Sequence, residues 1–169
     1  GQMMEKVVLP EPRPRRTDEE IIEQCPWAST GCKGRKPVVI TSLELDPAVM
    51  EQRNIHLQEK YAEIEANERR YEEIECEDAE YLIVAFGSCA RIAQKAMEHA
   101  REEGIKVGLF RPITLWPFPS PEIAERAKQV KGILVVELNS GQMIEDVKLA
   151  VECNVPVHHF GRLGGIVPD

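Results

Sequence analysis

Two turns in this sequence join a strand end, a polar loop and a helix start, the arrangement on which α/β folds build sites. The first is "FGSCAR" (86–91). Gly87 and Ser88 stand where the helix opens, so backbone amides there could cradle a phosphate. The spacing is not G-x-G-x-x-G, and no acidic ribose ligand follows at the expected distance. Ser88 also suits a plain helix cap, and that reading is preferred. The second is "ELNSGQMIEDV" (137–147). Glu137, Asn139 and Gln142 would gather at the carboxyl end of a strand, where open α/β sheets place their sites. No nucleophile–base pair is evident among them, so no catalytic residue is assigned. The opening "GQMMEKV" echoes 141–147 at five of seven positions with nothing adjacent repeating, and is read as chance.

A third stretch, "FRPITLWPFPSP" (110–121), is too rigid for a linker and too apolar for an ordinary surface loop. Each proline fixes φ and restricts the residue before it, so the crossover is ordered in advance. Its Trp and Phe could cover their own sheet. Arg111, Trp116 and Phe118 are also the residue types of an interface anchor, and both readings stay open.

Metal chemistry is not expected. His158 and His159 are neighbours on a presumed strand and point to opposite faces. His56 and His99 lie on helices without a partner at three or four residues. The five cysteines are Cys25, Cys32, Cys76, Cys89 and Cys153, with no C-x-x-C pair. Free thiols of a cytosolic protein are the expectation, and no cluster is assigned to this chain.

The elements that must position these residues fall into three stretches. Residues 1–46 read as an extended arm rich in Pro, Gly and basic residues, with Trp27 as its large anchor and "PVVITSLEL" (37–45) as a short strand. Residues 47–77 read as an acidic amphipathic helix or helical hairpin reaching about Glu75. Proline stands at its first turn, and Met50, Leu57, Ile64 and Tyr71 recur every seven residues. From 78 to 169 strands at 81–87, 105–110, 132–138 and 155–161 alternate with helices at 88–103, 120–130 and 141–153. The first helix would bury Ile92, Ala96 and Ala100, and a serine would cap the second. Such alternation builds right-handed βαβ units, hence a three-layer α/β/α sandwich with a mostly parallel sheet.

With 169 residues and 43% hydrophobic content the chain can bury a core. No apolar run approaches the roughly 20 residues that span a bilayer, so the chain reads as soluble and cytosolic, with no membrane partner. The net charge of −8 argues against nucleic acid. Eleven Asp/Glu against four Lys/Arg between Pro47 and Glu80 leave a local net of −7, read as a solvated helix face.

The segments "RPITLWPFP" and "VVELNSGQMIEDV" resemble the transketolase C-terminal-like domain of 2-oxoacid:ferredoxin oxidoreductases. The upstream "WASTGCKGRKPVVITSLELDP" and "KYAEI" resemble the 2-ketoisovalerate (3-methyl-2-oxobutanoate) branch. The resemblance implies the carboxyl part of a large subunit, starting near the end of a first, thiamine-pyrimidine-type domain. It implies thiamine diphosphate and Mg²⁺ on a partner subunit, iron–sulfur clusters on ferredoxin-like segments, and coenzyme A as acyl acceptor. None of these is expected on this chain. The implied reaction is oxidative decarboxylation of a branched-chain 2-oxoacid to acyl-CoA and CO₂, with ferredoxin as electron acceptor. The isolated chain is expected to be inactive and, because it exposes apolar surface, to form a homodimer. Two other readings compete. One is a stand-alone small-molecule or nucleotide-binding module using Gly87, Ser88, Asn139 and Gln142. The other is the equivalent domain of a transketolase or a 2-oxoacid dehydrogenase E1 β-subunit.

Overall fold

Tyr81–Ala85 (β2), the near-continuous apolar run, becomes the central strand of a five-stranded sheet of order β1-β3-β2-β4-β5. This computed structural model describes residue 9 and residues 11–28 and 31–166; "GQMMEKV" and the last three residues of the tail lie outside them. Val107–Pro112 (β3), Gly132–Glu137 (β4) and Val157–Gly161 (β5) run parallel to β2 through Gly87–Glu102 (α3), Ser120–Ala127 (α4) and Met143–Val151 (α5). Tyr71–Ile74 (β1) adds an antiparallel edge beside β3. The mostly parallel three-layer sandwich is therefore observed.

Alternation along the strands feeds two cores. Leu82, Val84, Phe110, Ile133 and Val135 pack with Ile123 of α4 and Met143, Ile144 and Val147 of α5. Ile83, Ala85, Leu109 and Val136 point the other way, onto Cys89, Ala90, Ala93 and Met97 of α3. The face with one helix is covered unevenly. Toward β5 it leaves Leu134 and Phe160 partly exposed, beside a crease lined by Tyr81, Gly132, Pro156 and His158. Parallel strands are normally covered on both faces, so this is unfinished surface.

Several expectations need correction. The helix from Pro47 ends at Asn67 (α2), and 71–74 is strand. The seven-residue recurrence carried Tyr71 into a helix, whereas its ring stacks on Phe110 at 5.1 Å across the β1–β3 pair. Glu73 reaches Arg126 of α4 through two bonds of 2.8 and 2.6 Å, and Glu72 meets Arg111 at 2.8 Å. These pairs hold a polar edge strand in place. The buried face of α3 is Cys89, Ala90, Ala93 and Met97; Ile92 and Ala100 are only half-buried and Ala96 is exposed. Small residues fit where the helix sits close to the sheet. Neither serine caps: Phe86 and Pro119 hold the N-cap positions of α3 and α4, without side-chain bonds.

The chain divides into two compact units, Glu5–Leu57 and Gln58–Asp169, and the division falls within α2. In the first unit the arm is not extended throughout. Asp18–Gln24 (α1) is a helix opened by a capping box, in which Thr17 and Glu20 satisfy each other's backbone amides at 3.2 and 2.8 Å. Residues 37–45 form no strand and are irregular and almost wholly exposed. A strand needs a pairing partner, and among the described residues this segment forms no ladder. Asp46 accepts from Ala48 N at 2.9 Å and so starts α2. Among the described residues no helix is long and apolar enough to cross a membrane.

Candidate functional site

In the second unit β2 and β4 lie side by side, yet their following helices leave toward opposite faces. That is a topological switch point, where open α/β sheets form a crevice at the carboxyl ends of the strands. Gly87 and Ser88 lie on one side of it and Asn139 and Gln142 on the other, so the fold brings together the four candidate binding residues. Gly87 and Ser88 are exposed, and Gly87 sits at φ +55°, which glycine adopts without strain.

The β4–α5 side is organised by Glu137, a carboxylate with no solvent exposure. It accepts from the amides of Met143 at 2.7 Å, Gln142 at 3.2 Å and Ile144 at 3.2 Å, and from Asn139 Nδ2 at 3.2 Å. Asn139 Oδ1 in turn accepts from Gly141 N at 2.7 Å. Gln142 holds the N-cap position of α5 and supplies no side-chain cap, so a residue of the preceding strand satisfies the first turn. A buried negative charge among converging amides at a helix N-terminus is favourable. His159 brings Nε2 to 3.6 Å from the same carboxylate. The close fit extends to Gly161, where a Cβ would stand 2.3 Å from Asn139 O.

Both carboxylate oxygens of Glu137 accept from amide donors of the β4–α5 turn. Burial raises the Cys89 thiol, and Glu137 adds to that, so this cysteine is a poor nucleophile. Burial also pushes Asp146 up, helped by Glu145 and Glu137. Sequence reasoning placed Glu137 at the site and missed its role. The available signal was a helix start with Gln rather than Ser, Thr, Asp or Asn at its cap.

The anchor set separates. Trp116 is 54% exposed, preceded by exposed Ile113 and Leu115, and its ring meets Tyr61 edge-on at 5.5 Å. The Trp116–Pro117 bond is cis. Phe118 turns inward against the core. Arg111 lies on β3, half-buried, paired with Glu72, its Nε buried without a partner.

Two of the five thiols are committed to the packing of the sheet unit. The thiol of Cys76 is buried, pushed up to about 11 chiefly by that burial, and donates to Leu109 O at 3.3 Å. Cys89 is buried in the α3 core, and among the described residues no three His, Cys, Asp or Glu are grouped to hold a metal. At the crevice the amides of Gln142, Met143 and Ile144 already donate to Glu137.

Residues 79–169, more than half the chain, match the family model described as pyruvate:ferredoxin oxidoreductase core domain II, and the chain belongs to that family. It is 45% identical over 168 residues to the ketoisovalerate oxidoreductase subunit VorB of Methanothermobacter marburgensis, covering 98% of this chain and 45% of that relative. The 2-oxoglutarate synthase subunit KorA of the same organism is 35% identical over 95 residues, 55% of this chain and 25% of KorA. Among solved structures, a 2-oxoglutarate:ferredoxin oxidoreductase from Magnetococcus marinus, with 2-oxoglutarate, coenzyme A and succinyl-CoA bound, superposes with a TM-score of 0.66 at 23% identity. It covers 82% of this chain and 26% of the other. That likeness bears on the fold. The chain thus spans less than half the length of the VorB relative it matches.

Proposed function

We propose that this chain supplies the domain-II part of a ketoisovalerate-type 2-oxoacid:ferredoxin oxidoreductase and serves there in assembly. The observation that carries the reading is the 45% identity across 98% of the chain with a ketoisovalerate subunit, against 35% over 55% with a 2-oxoglutarate subunit. The complex converts a branched-chain 2-oxoacid and coenzyme A to acyl-CoA and CO₂. Two electrons pass to ferredoxin and one proton is released. Thiamine diphosphate, Mg²⁺ and the iron–sulfur clusters sit on other polypeptides, and the whole works in the cytoplasm. Glu137 keeps the β4–α5 turn in one shape. Trp116, with Ile113 and Leu115, forms the docking edge, and Arg111 borders it. The isolated chain is inactive and pairs with a second copy through its exposed apolar surface.

The test is purification of the complex, by an antibody to this chain, from the cells that make it. The expected result is co-purifying thiamine-binding and ferredoxin-like subunits, and reduction of a viologen dye that requires both 3-methyl-2-oxobutanoate and coenzyme A. A chain that arrives alone overturns the assembly role. Dye reduction that answers to pyruvate or 2-oxoglutarate instead overturns the branch.

A further inference from the structure

All five cysteines are free, and their places differ. Cys76 and Cys89 are buried in the sheet unit, and Cys153 stands exposed after α5. Cys25 and Cys32 lie in the arm with six residues between them, Cys32 exposed and Cys25 half-buried. The stretch that holds this pair is folded back on itself. Cys25 is the C-cap of α1, its amide donating to Ile21 O at 2.8 Å. Each cysteine then opens a turn: Ala28 N donates to Cys25 O at 2.9 Å, and Arg35 N to Cys32 O at 3.2 Å. Arg35 joins the two turns, since its Nη2 donates to Ala28 O at 3.2 Å. Gly31 and Gly34 bend the chain at φ +86° and +79°, which glycine adopts without strain.

Two thiols on one short, folded segment meet each other more often than either meets a thiol elsewhere, because little chain entropy is lost in closing the loop. We infer that Cys25 and Cys32 are a thiol–disulfide pair, bridged within the chain by a small disulfide oxidant and reopened by small thiols. The exposed Cys32 reacts first. Its thiolate attacks one sulfur of glutathione disulfide, forming a mixed disulfide and expelling one glutathione thiolate. The Cys25 thiolate then attacks the Cys32 sulfur, and the second glutathione leaves. The two cysteines lose two electrons, glutathione disulfide gains them, and the two thiol protons end on the two glutathiones. The bridge closes the loop that carries Trp27, a ring 60% exposed, and fixes it against the last turn of α1. In a reducing compartment such a bond is transient and reports oxidation rather than serving as a permanent staple. The inference concerns the covalent state of the arm and stands apart from the assembly role proposed above.

Trypsin releases both cysteines on one peptide, residues 17–33, because no Lys or Arg lies between its ends. The recombinant full chain is incubated with glutathione disulfide, quenched with acid, alkylated with iodoacetamide, digested and weighed. The expected product is that peptide two hydrogens lighter and without alkyl groups, exceeding the glutathione-bearing form by about tenfold. Dithiothreitol before the quench should restore two alkylated thiols, and Cys25→Ser should hold one glutathione on Cys32. Three results overturn the inference: two thiols still alkylated after incubation, glutathione retained on Cys32 beside an alkylated Cys25, or a bridge that joins two copies. A bare Cys32 in Cys25→Ser overturns the order of attack. Hydrogen exchange reads the lock itself. The amides of Cys25 and Ala28 are expected to slow about tenfold on bridging, and unchanged exchange would overturn the fixing of the loop.

Discussion

The two units of this chain handle apolar residues in opposite ways. Gln58–Asp169 sinks them into two cores on either side of a sheet, while Glu5–Leu57 leaves Trp27, Val39, Ile40 and Leu45 facing outward. The difference teaches where each part obtains its stability. The sheet unit is determined by its own sequence. The arm has local devices, a capping box at Thr17 and an aspartate cap at Asp46, and little that holds it as a whole. Short helices without tertiary packing are marginal, so its order depends on what it meets.

Mutation should separate the units sharply. Phe110→Ala, at a fully buried ring, is expected to destabilise the sheet unit by about 4 kcal/mol in urea denaturation. Glu137→Ala comes next at about 3 kcal/mol, because it strands three amides of the α5 start in an enclosed site. Glu137→Gln should fall between this variant and the native chain, since one amide oxygen can still accept. An unchanged midpoint for Glu137→Ala would mean that water serves the turn as well as the carboxylate does.

What could be read in advance follows the same division. The four parallel strands and three helices of the sheet unit were legible because buried parallel strands are continuous apolar runs and their helices carry a period. β1 was not, because "YEEI" is an edge strand held by ion pairs and one ring stack rather than by an apolar pattern. α1 was hidden by neighbouring prolines, although Thr17 and Glu20 spell its capping box. The strand expected at 37–45 followed β propensity alone, and among the described residues the segment pairs with no other strand. At the site, the gathering of Glu137, Asn139 and Gln142 was legible and their use was not, because a carboxylate at a strand end looks the same whether it faces a ligand or a helix.

Smaller effects sharpen the comparison. Arg126→Met, which removes the doubly bonded partner of Glu73, should cost about 1 kcal/mol, because both side chains keep about a quarter of their surface in water. A slight response to acid should follow from Asp78 and Glu80. Hydrogen bonds from Arg101 and Lys131 hold these carboxyls below their ordinary values of 3.8 and 4.5. A carboxyl lowered on folding contributes fully above its ordinary value and loses that contribution as pH falls through the lowered one. The urea midpoint should therefore be flat between pH 6 and 8 and decline below about pH 4. Ile40→Lys is expected to shift the isolated chain by less than about 0.5 kcal/mol, the size usual for exposed positions. A larger loss would show that the arm is packed after all.

The carboxylate of Glu137 has a consequence for anyone who cuts or transplants this protein. α5 is not a self-contained part, since its first turn is completed by the strand before it. A peptide beginning at Gly141 lacks its start signal, and a graft of α5 into another scaffold must bring β4 with it. Exchange of modules between relatives should accordingly respect a joint before Gly132 and tolerate none between Glu137 and Met143.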